Sequence, residues 1–223
     1  MQPALNTSAI VTSDSPKGQQ AVALFRAQYN KVGLDDESAQ LLNEHPGFAA
    51  YLAAGIRQFS TKGPVFPVYL KIEVGGKSKE ELLAELQSGG FFVSDWAKDI
   101  MSRPAWKPGE KERVKFARVK VRELGFTDPK NLPTTAQIWA RIQEFGHALC
   151  EPGDGPAIRR VLTDQSRDDY LWAAMEQITD SAGGRRVFCV KRGGGGERWL
   201  DARWANPSRG WDLDSEVVFR LRK

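Results

Sequence analysis

Apolar residues recur every three to four positions in the amino-terminal part of the chain, which predicts helices. The first helix begins after residue 16 and ends at Gly33. Its apolar face is formed by Ala21, Leu24, Phe25 and Tyr29. A second helix is predicted from Asp35 to the break at His45, and a third, apolar on most sides, over 48–59. Residues 17–62 are therefore expected to form a helical unit, and residues 1–16 a loose tail.

Strands and helices alternate in the next part of the chain. Residues 65–74 are β-branched and aromatic, which predicts a strand. Ser78 and Glu81 have the spacing of a capping box, which predicts that a helix begins there. Residues 91–101 predict a further short helix. One face of this helix would carry Phe92, Trp96 and Ile100.

Residues 112–123 alternate basic and apolar side chains, which predicts a half-exposed strand. The alternation slips between Phe116 and Val119, a pattern that fits a β-bulge. The exposed face is expected to carry Arg113, Lys115, Arg118, Lys120 and Arg122. Thr134 and Gln137 then form a second capping box, which predicts a helix to about residue 149.

Short β-like segments separated by glycine-rich turns fill the last third of the chain. They cover residues 158–162, 170–178, 188–190, 198–204 and 216–221. The predicted fold class is α+β: amino-terminal helices, then a mixed α/β segment that ends in a mostly antiparallel carboxy-terminal sheet. Residues 65–223 are expected to form this second domain.

Composition limits the functional classes. The 223 residues hold 41% hydrophobic and 27% charged side chains, as in a folded globular protein. No apolar run approaches a membrane span, and the first residues lack a signal-peptide pattern. Cys150 and Cys189 are too few for a disulfide framework. A cytoplasmic location is therefore expected, with no membrane contact. The pI of about 9.1 is compatible with an acidic partner.

The segment 185–223 is the candidate binding region, because it combines three tryptophans with ten Lys/Arg and five Asp/Glu. Tryptophan and arginine dominate binding hot spots. The predicted ligand-binding residues are Lys191, Arg192, Glu197, Arg198, Asp201, Arg203, Trp204, Asn206, Ser208, Arg209, Trp211, Asp212 and Asp214. Trp199, followed by Leu200, is expected to lie in the core.

Several chemical motifs have simpler interpretations. The segment 75–78 lacks the first glycine of a phosphate-binding loop and fits a turn with a helix cap. The glycines at 193–196 fit a hairpin tip, since no helix follows. Two aspartate pairs could bind a cation or act as an acid/base pair: Asp168 with Asp169, and Asp212 with Asp214. Turn aspartates that bond their own backbone are more common, so the turn interpretation is favoured. No catalytic residue, metal ligand or cofactor is predicted.

The carboxy-terminal pattern resembles the variable region of proteins diversified by diversity-generating retroelements. Arg192-Gly193-Gly194 and Trp199 match the start of that region, and Phe219-Arg220-Leu221 matches its end. The resemblance implies a C-type-lectin-like sheet that displays variable side chains for protein or other macromolecular recognition. Residues 121–126 and 174–181 also resemble segments of uncharacterised bacterial proteins.

The sequence thus predicts a non-enzymatic protein that binds a partner protein through residues 191–216. The alternative is a basic nucleic-acid-binding accessory protein that uses Arg113 to Arg122 and the arginine-rich tail. A third hypothesis is a hydrolase centred on Cys150 and His147, which requires a reactive thiol at neutral pH.

Overall fold

A computed structural model describes residues 64–222, together with 14–16, 18–20, 22, 23, 26, 40, 44 and 47. The chain divides into two compact units, Met1–Arg57 and Gln58–Lys223. In the first unit, residues 16, 18–20, 22, 23, 26, 40 and 44 are helical. The rest of the three predicted amino-terminal helices, including all of 48–59, lies outside the described residues. Everything below concerns the second unit.

The second unit is a mixed α+β structure built on a curled, mostly antiparallel sheet, so the predicted fold class is confirmed at that level. The strands are β1 Leu70–Val74, β2 Phe92–Val93, β3 Glu112–Lys120, β4 Tyr170–Ala173, β5 Ile178–Thr179, β6 Arg185–Arg192, β7 Arg198–Trp204 and β8 Glu216–Arg220. Their order across the sheet is β1-β3-β8-β4-β6-β7-β2, and β5 pairs with β6. The β4–β8 and β2–β7 pairs are parallel.

Four α-helices pack around this sheet in the described part of the chain. They are α1 Lys79–Ser88, α2 Asp95–Met101, α3 Thr135–Glu144 and α4 Asp154–Val161, and a 3-10 turn covers Val121–Leu124. Both predicted capping boxes form, with Ser78 capping α1 and Thr134 capping α3. Helix α4 packs against α1, β1, β6 and β7. None of the described helices is long and apolar enough to cross a bilayer.

Two predicted elements have the wrong type. Residues 158–162 were expected to be a strand, but residues 158–161 belong to α4 and Leu162 is its C-cap. Pro156 lies in the first turn of that helix, where its missing N–H removes no hydrogen bond. Residues 92–93 were expected to be helical but form β2, because they pair with β7 at Trp199 and Leu200. Helix α2 therefore begins only after Ser94, whose side chain caps it.

The expected bulge in β3 is also wrong. The strand pairs without interruption with β1 from Glu112 to Phe116 and with β8 from Phe116 to Lys120. The phase of burial changes because the two halves of the strand bury opposite faces: Val114 and Phe116 are buried in the first half, Ala117 and Val119 in the second. The slip in the sequence pattern thus reflects a change in what covers the sheet.

Candidate functional site

Four aromatic side chains are more than 40% exposed in the described part of the chain: Phe92, Trp96, Tyr170 and Trp204. Phe92 and Trp204 lie on β2 and β7, which form one edge of the sheet, and Trp96 lies on α2, which packs against β7. Tyr170 lies on the central strand β4, which β6 separates from β7. Large apolar groups left together on a surface are characteristic of interaction sites. The part of the sheet from β4 to β2, with α2, is therefore the candidate binding surface.

A row of paired residues crosses four strands on this surface. Tyr170 lies opposite Lys191, Lys191 opposite Trp199, and Trp199 opposite Phe92. Directly paired residues point to the same face of a sheet, so the row presents three aromatic rings and one ammonium group together. Phe92 and Trp199 stack at 4.9 Å between ring centroids, and the Lys191 Nζ lies 5.7 Å from the Trp199 ring.

Arg186 fixes a second group of side chains. It pairs with Trp204 across β6 and β7, and each of the two lies five residues from the row residue on its own strand, so both point to the other face of the sheet. The Arg186 guanidinium carbon lies 3.8 Å from the Trp96 ring centroid and 4.9 Å from that of Trp204. The side chain pairs with Asp180 and donates to the Ala202 carbonyl at 3.2 Å. Two indoles are thus held in place by a buried arginine whose hydrogen bonds restrict its own position.

A cleft of about 300 Å³ opens beside Trp204. Its lining includes three arginines, Arg186, Arg203 and Arg209, and one carboxylate, Asp201. Arg209 lies over the rings of Trp172 and Trp211 at 4.7 and 5.1 Å, and it forms no ion pair within the described part of the chain. Burial and the nearby charge of Arg203 lower the pKa of Arg209. The cleft therefore favours an anionic group.

Asp201 is the acidic counterpart in this cleft. It accepts from Lys191 at 2.8 Å and from Arg203 at 3.3 Å. Burial works to raise the pKa of Asp201, but hydrogen bonds from Lys191 and Ser94 outweigh it, so its pKa lies below the ordinary value. The single Asp201 carboxylate thus pairs with both Lys191 and Arg203. The cationic side chains around the cleft therefore outnumber its carboxylate.

We call the row and the cleft group together the aromatic–arginine surface, because Asp201 joins them: it accepts from Lys191 of the row and also lines the cleft. This surface comprises Phe92, Trp96, Tyr170, Arg186, Lys191, Trp199, Asp201, Arg203, Trp204 and Arg209. Five of the predicted ligand-binding residues belong to it: Lys191, Asp201, Arg203, Trp204 and Arg209. The prediction that Trp199 lies in the core is wrong, because its side chain is only half-buried and stacks on exposed Phe92.

The exposure predicted for Trp211 is wrong. Its side chain is only 1% exposed and its Nε1 donates to the Thr135 hydroxyl at 2.8 Å. The ring packs against Trp139 and Trp172 at 5.7 and 4.7 Å. Trp211 therefore joins α3 to the sheet and cannot contact a ligand directly. The alternation of buried Trp211 and Leu213 with exposed Asp212 and Asp214 would have indicated this.

The remaining predicted ligand residues lie in two other places. Arg192, Glu197 and Arg198 flank the hairpin tip, where the Gly193 amide donates to the Glu197 carbonyl at 2.9 Å. Asn206 and Ser208 are exposed in the loop after β7. Asp212 accepts from the Asp214 amide at 2.7 Å, and Asp214 pairs with Lys120 at 3.3 Å. These aspartates are turn residues, and the described residues contain no group of three or more acidic, cysteine or histidine side chains suited to a metal ion.

The single basic face predicted for β3 is wrong. Side chains alternate between the faces of a strand, so Arg113 and Lys115 lie on one face and Arg118 and Lys120 on the other. Arg118 pairs with Asp169 and Glu216. Arg122 lies beyond the strand, in the 3-10 turn, and pairs with Asp214 at 2.5 Å.

Cys150 and His147 do not form a nucleophile–base pair. The Cys150 thiol is buried and donates to the Val218 carbonyl at 3.3 Å, and burial raises its pKa well above the ordinary value. The His147 ring packs 5.5 Å from Phe66 and 5.4 Å from Phe219, and its Nε2 lies 3.4 Å from the Pro64 carbonyl. Cys189 is a free buried thiol as well.

Sequence reasoning missed the surface residues that lie outside 191–216, namely Phe92, Trp96, Tyr170 and Arg186. A local signal existed for Phe92 only. Adjacent side chains in an extended segment point in opposite directions, so burial of Phe91 leaves Phe92 exposed. The positions of Tyr170 and Arg186 depend on strand pairing across the sheet, which no local pattern specifies.

Comparisons with known proteins do not assign this chain to a family. No family model matches the chain, and searches of curated proteins and of solved structures find no match either.

Proposed function

We propose that this protein binds a partner protein, without catalysis, through the aromatic–arginine surface. The observation that carries the proposal is the exposure of Phe92, Trp96, Tyr170 and Trp204, of which Trp96 and Trp204 line the same arginine-rich cleft. Tryptophan, tyrosine and arginine dominate the energetics of protein interfaces. The surface displays all three.

The rigidity of the surface supports this proposal. The Trp96, Arg186 and Trp204 side chains are stacked on one another, and Phe92 is stacked on Trp199. Side chains that are already ordered lose less conformational entropy on binding, which increases the affinity obtained from each contact. A preorganised surface of this kind is suited to tight and selective association.

The chemistry of the cleft narrows the class of partner. Arg203 and Arg209 lie beside exposed Trp204, with Asp201 as the only acidic side chain that lines the described cleft. A partner segment that places a carboxylate between the two arginines and an apolar side chain against the indole would satisfy both features. We therefore favour a partner with an acidic and apolar surface segment.

Selection from a phage-displayed library of random peptides tests the proposal with the full-length protein. Enriched peptides should combine acidic and apolar residues, and most should lose binding to Trp204→Ala. A matched control is Lys130→Ala, which removes an exposed side chain outside the surface. Enrichment of peptides that bind Trp204→Ala as well as the unaltered protein would contradict the proposal.

The retroelement resemblance adds a finer proposal: a C-type-lectin-like scaffold whose exposed positions are diversified. Asp201, Arg203, Trp204 and Arg209 are exposed or half-exposed, so substitutions there leave the core intact. The test is the coding DNA for 185–223. A nearby imperfect copy that differs at adenines would support diversification, and the absence of a copy would argue against it.

A further inference from the structure

A second cleft, of about 510 Å³, lies at the opposite end of the sheet. Its lining includes five cationic side chains and one carboxylate. These are Lys71, Arg113, Lys115, Arg220 and Arg222, with Glu112. None of these residues belongs to the aromatic–arginine surface, so an inference drawn here stands apart from the proposed function.

Four of the five cations form no ion pair within the described part of the chain: Lys71, Arg113, Lys115 and Arg222. All four are exposed. Two carboxylates lie nearby: Glu112 pairs with Arg220 at 2.6 Å, and Glu73, which is directly opposite Arg113 on β1, pairs with Lys111 at 3.1 Å. Arg220 differs from the four because it also pairs with Asp154 and Glu151.

The geometry concentrates this charge. Lys71 and Lys115 are directly opposed on β1 and β3, and Arg113 lies two residues from Lys115 on the same face. Like charges directly opposed across a strand pair destabilise the sheet. Neighbouring strands are about 5 Å apart, and residues two positions apart in a strand are separated by about 7 Å. One ligand with several negative charges can therefore contact all three side chains.

We propose that this cleft binds phosphate groups. A phosphate carries a full charge and several strong acceptor oxygens, which suits converging ammonium and guanidinium groups. The shared chemistry has two sources, the backbone of a single-stranded nucleic acid or a small free polyphosphate. The cleft has the volume of a small-ligand site, so it accepts a few consecutive phosphates from either source.

Fluorescence anisotropy with a labelled oligothymidylate tests this inference on the full chain. Each neutralised phosphate contributes about −0.7 to the slope of log affinity against log salt for single strands, so four contacts predict a slope near −3. Lys71→Gln combined with Lys115→Gln should weaken binding at low salt by about tenfold or more and reduce the slope by about 1.4. Lys98→Gln combined with Lys130→Gln removes the same charge outside the cleft and should change affinity less than about twofold.

A competition experiment distinguishes the two sources of the phosphate groups. Displacement of the oligonucleotide only by a large excess of inorganic tripolyphosphate supports a nucleic-acid strand, whereas displacement by equal amounts supports a free polyphosphate. Binding of polyglutamate as tight as that of the oligonucleotide would overturn the phosphate assignment, and so would equal weakening by the cleft and control variants. Trp204→Ala should leave oligonucleotide binding unchanged, so this inference and the proposed function fail independently.

Discussion

The guanidinium carbon of Arg186 lies 3.8 Å from the centre of the Trp96 ring, while the same side chain pairs with buried Asp180. Asp180 also accepts from the amides of Ala182 and Gly184, at 2.9 and 2.7 Å. The Arg186 guanidinium, which orders the Trp96 and Trp204 indoles, is thus neutralised by the buried Asp180 carboxylate. The stability of the fold and the shape of the surface consequently depend on the same ion pair.

Asp180→Asn should destabilise the protein by about 3–5 kcal/mol at neutral pH, because it leaves a buried guanidinium without its counter-ion. Burial works to raise the pKa of Asp180, but hydrogen bonds from Arg186, Gly184 and Ala182 lower it overall. The ion pair therefore contributes fully above the unfolded-state pKa of about 4, and its contribution is lost as the pH falls through the lower folded-state value.

Urea unfolding at several pH values checks this prediction. The difference in stability between the unaltered protein and Asp180→Asn should be largest near pH 7 and should narrow on acidification, since a protonated Asp180 resembles asparagine. A difference that stays constant down to about pH 2 would mean that the carboxylate does not stabilise the fold through its charge.

Truncation of Trp211 should destabilise the protein much more than truncation of Trp204. Trp211→Ala removes a buried indole and should cost about 3–5 kcal/mol of unfolding free energy. Trp204→Ala removes a side chain that is 50% exposed, and the main loss is its contact with Arg186, worth about 1 kcal/mol. Chemical denaturation of both variants measures the contrast, and similar losses would show that the two tryptophans are not distinguished by burial.

Gly155→Ala should destabilise the fold by about 1–3 kcal/mol through overpacking. A Cβ at this position would lie 2.6 Å from the Phe188 side chain, where α4 crosses β6. Gly210→Ala is the matched control, because its Cβ would meet Leu132 at an ordinary 3.7 Å. The prediction is wrong if thermal unfolding shows equal midpoints for the two variants.

Neither cysteine should react with a thiol reagent in the folded protein at neutral pH. Burial raises the pKa of Cys150 well above its ordinary value and that of Cys189 to about 12. Labelling with an aromatic disulfide should therefore proceed only after denaturant is added. Rapid modification of Cys150 under native conditions would instead support the hydrolase hypothesis.

Local signals predicted the elements that local interactions determine. The two capping boxes and the strand Arg198–Trp204 were predicted at their observed positions, because side chain-to-backbone bonds and alternation operate within a few residues. The helix over residues 158–161 was not, since it is decided by packing against the sheet. In the same way, only the register across β4, β6, β7 and β2 brings Tyr170 beside Lys191 and Phe92 beside Trp199.

The contribution of the aromatic–arginine surface to binding can be measured with a peptide selected against the unaltered protein. Its dissociation constant should be determined by calorimetry for the unaltered protein, for Trp204→Ala and for Lys130→Ala. The account predicts that Trp204→Ala weakens binding by about 30-fold or more, which corresponds to a hot spot of about 2 kcal/mol, and that Lys130→Ala has no effect. Equal dissociation constants for all three proteins would contradict it.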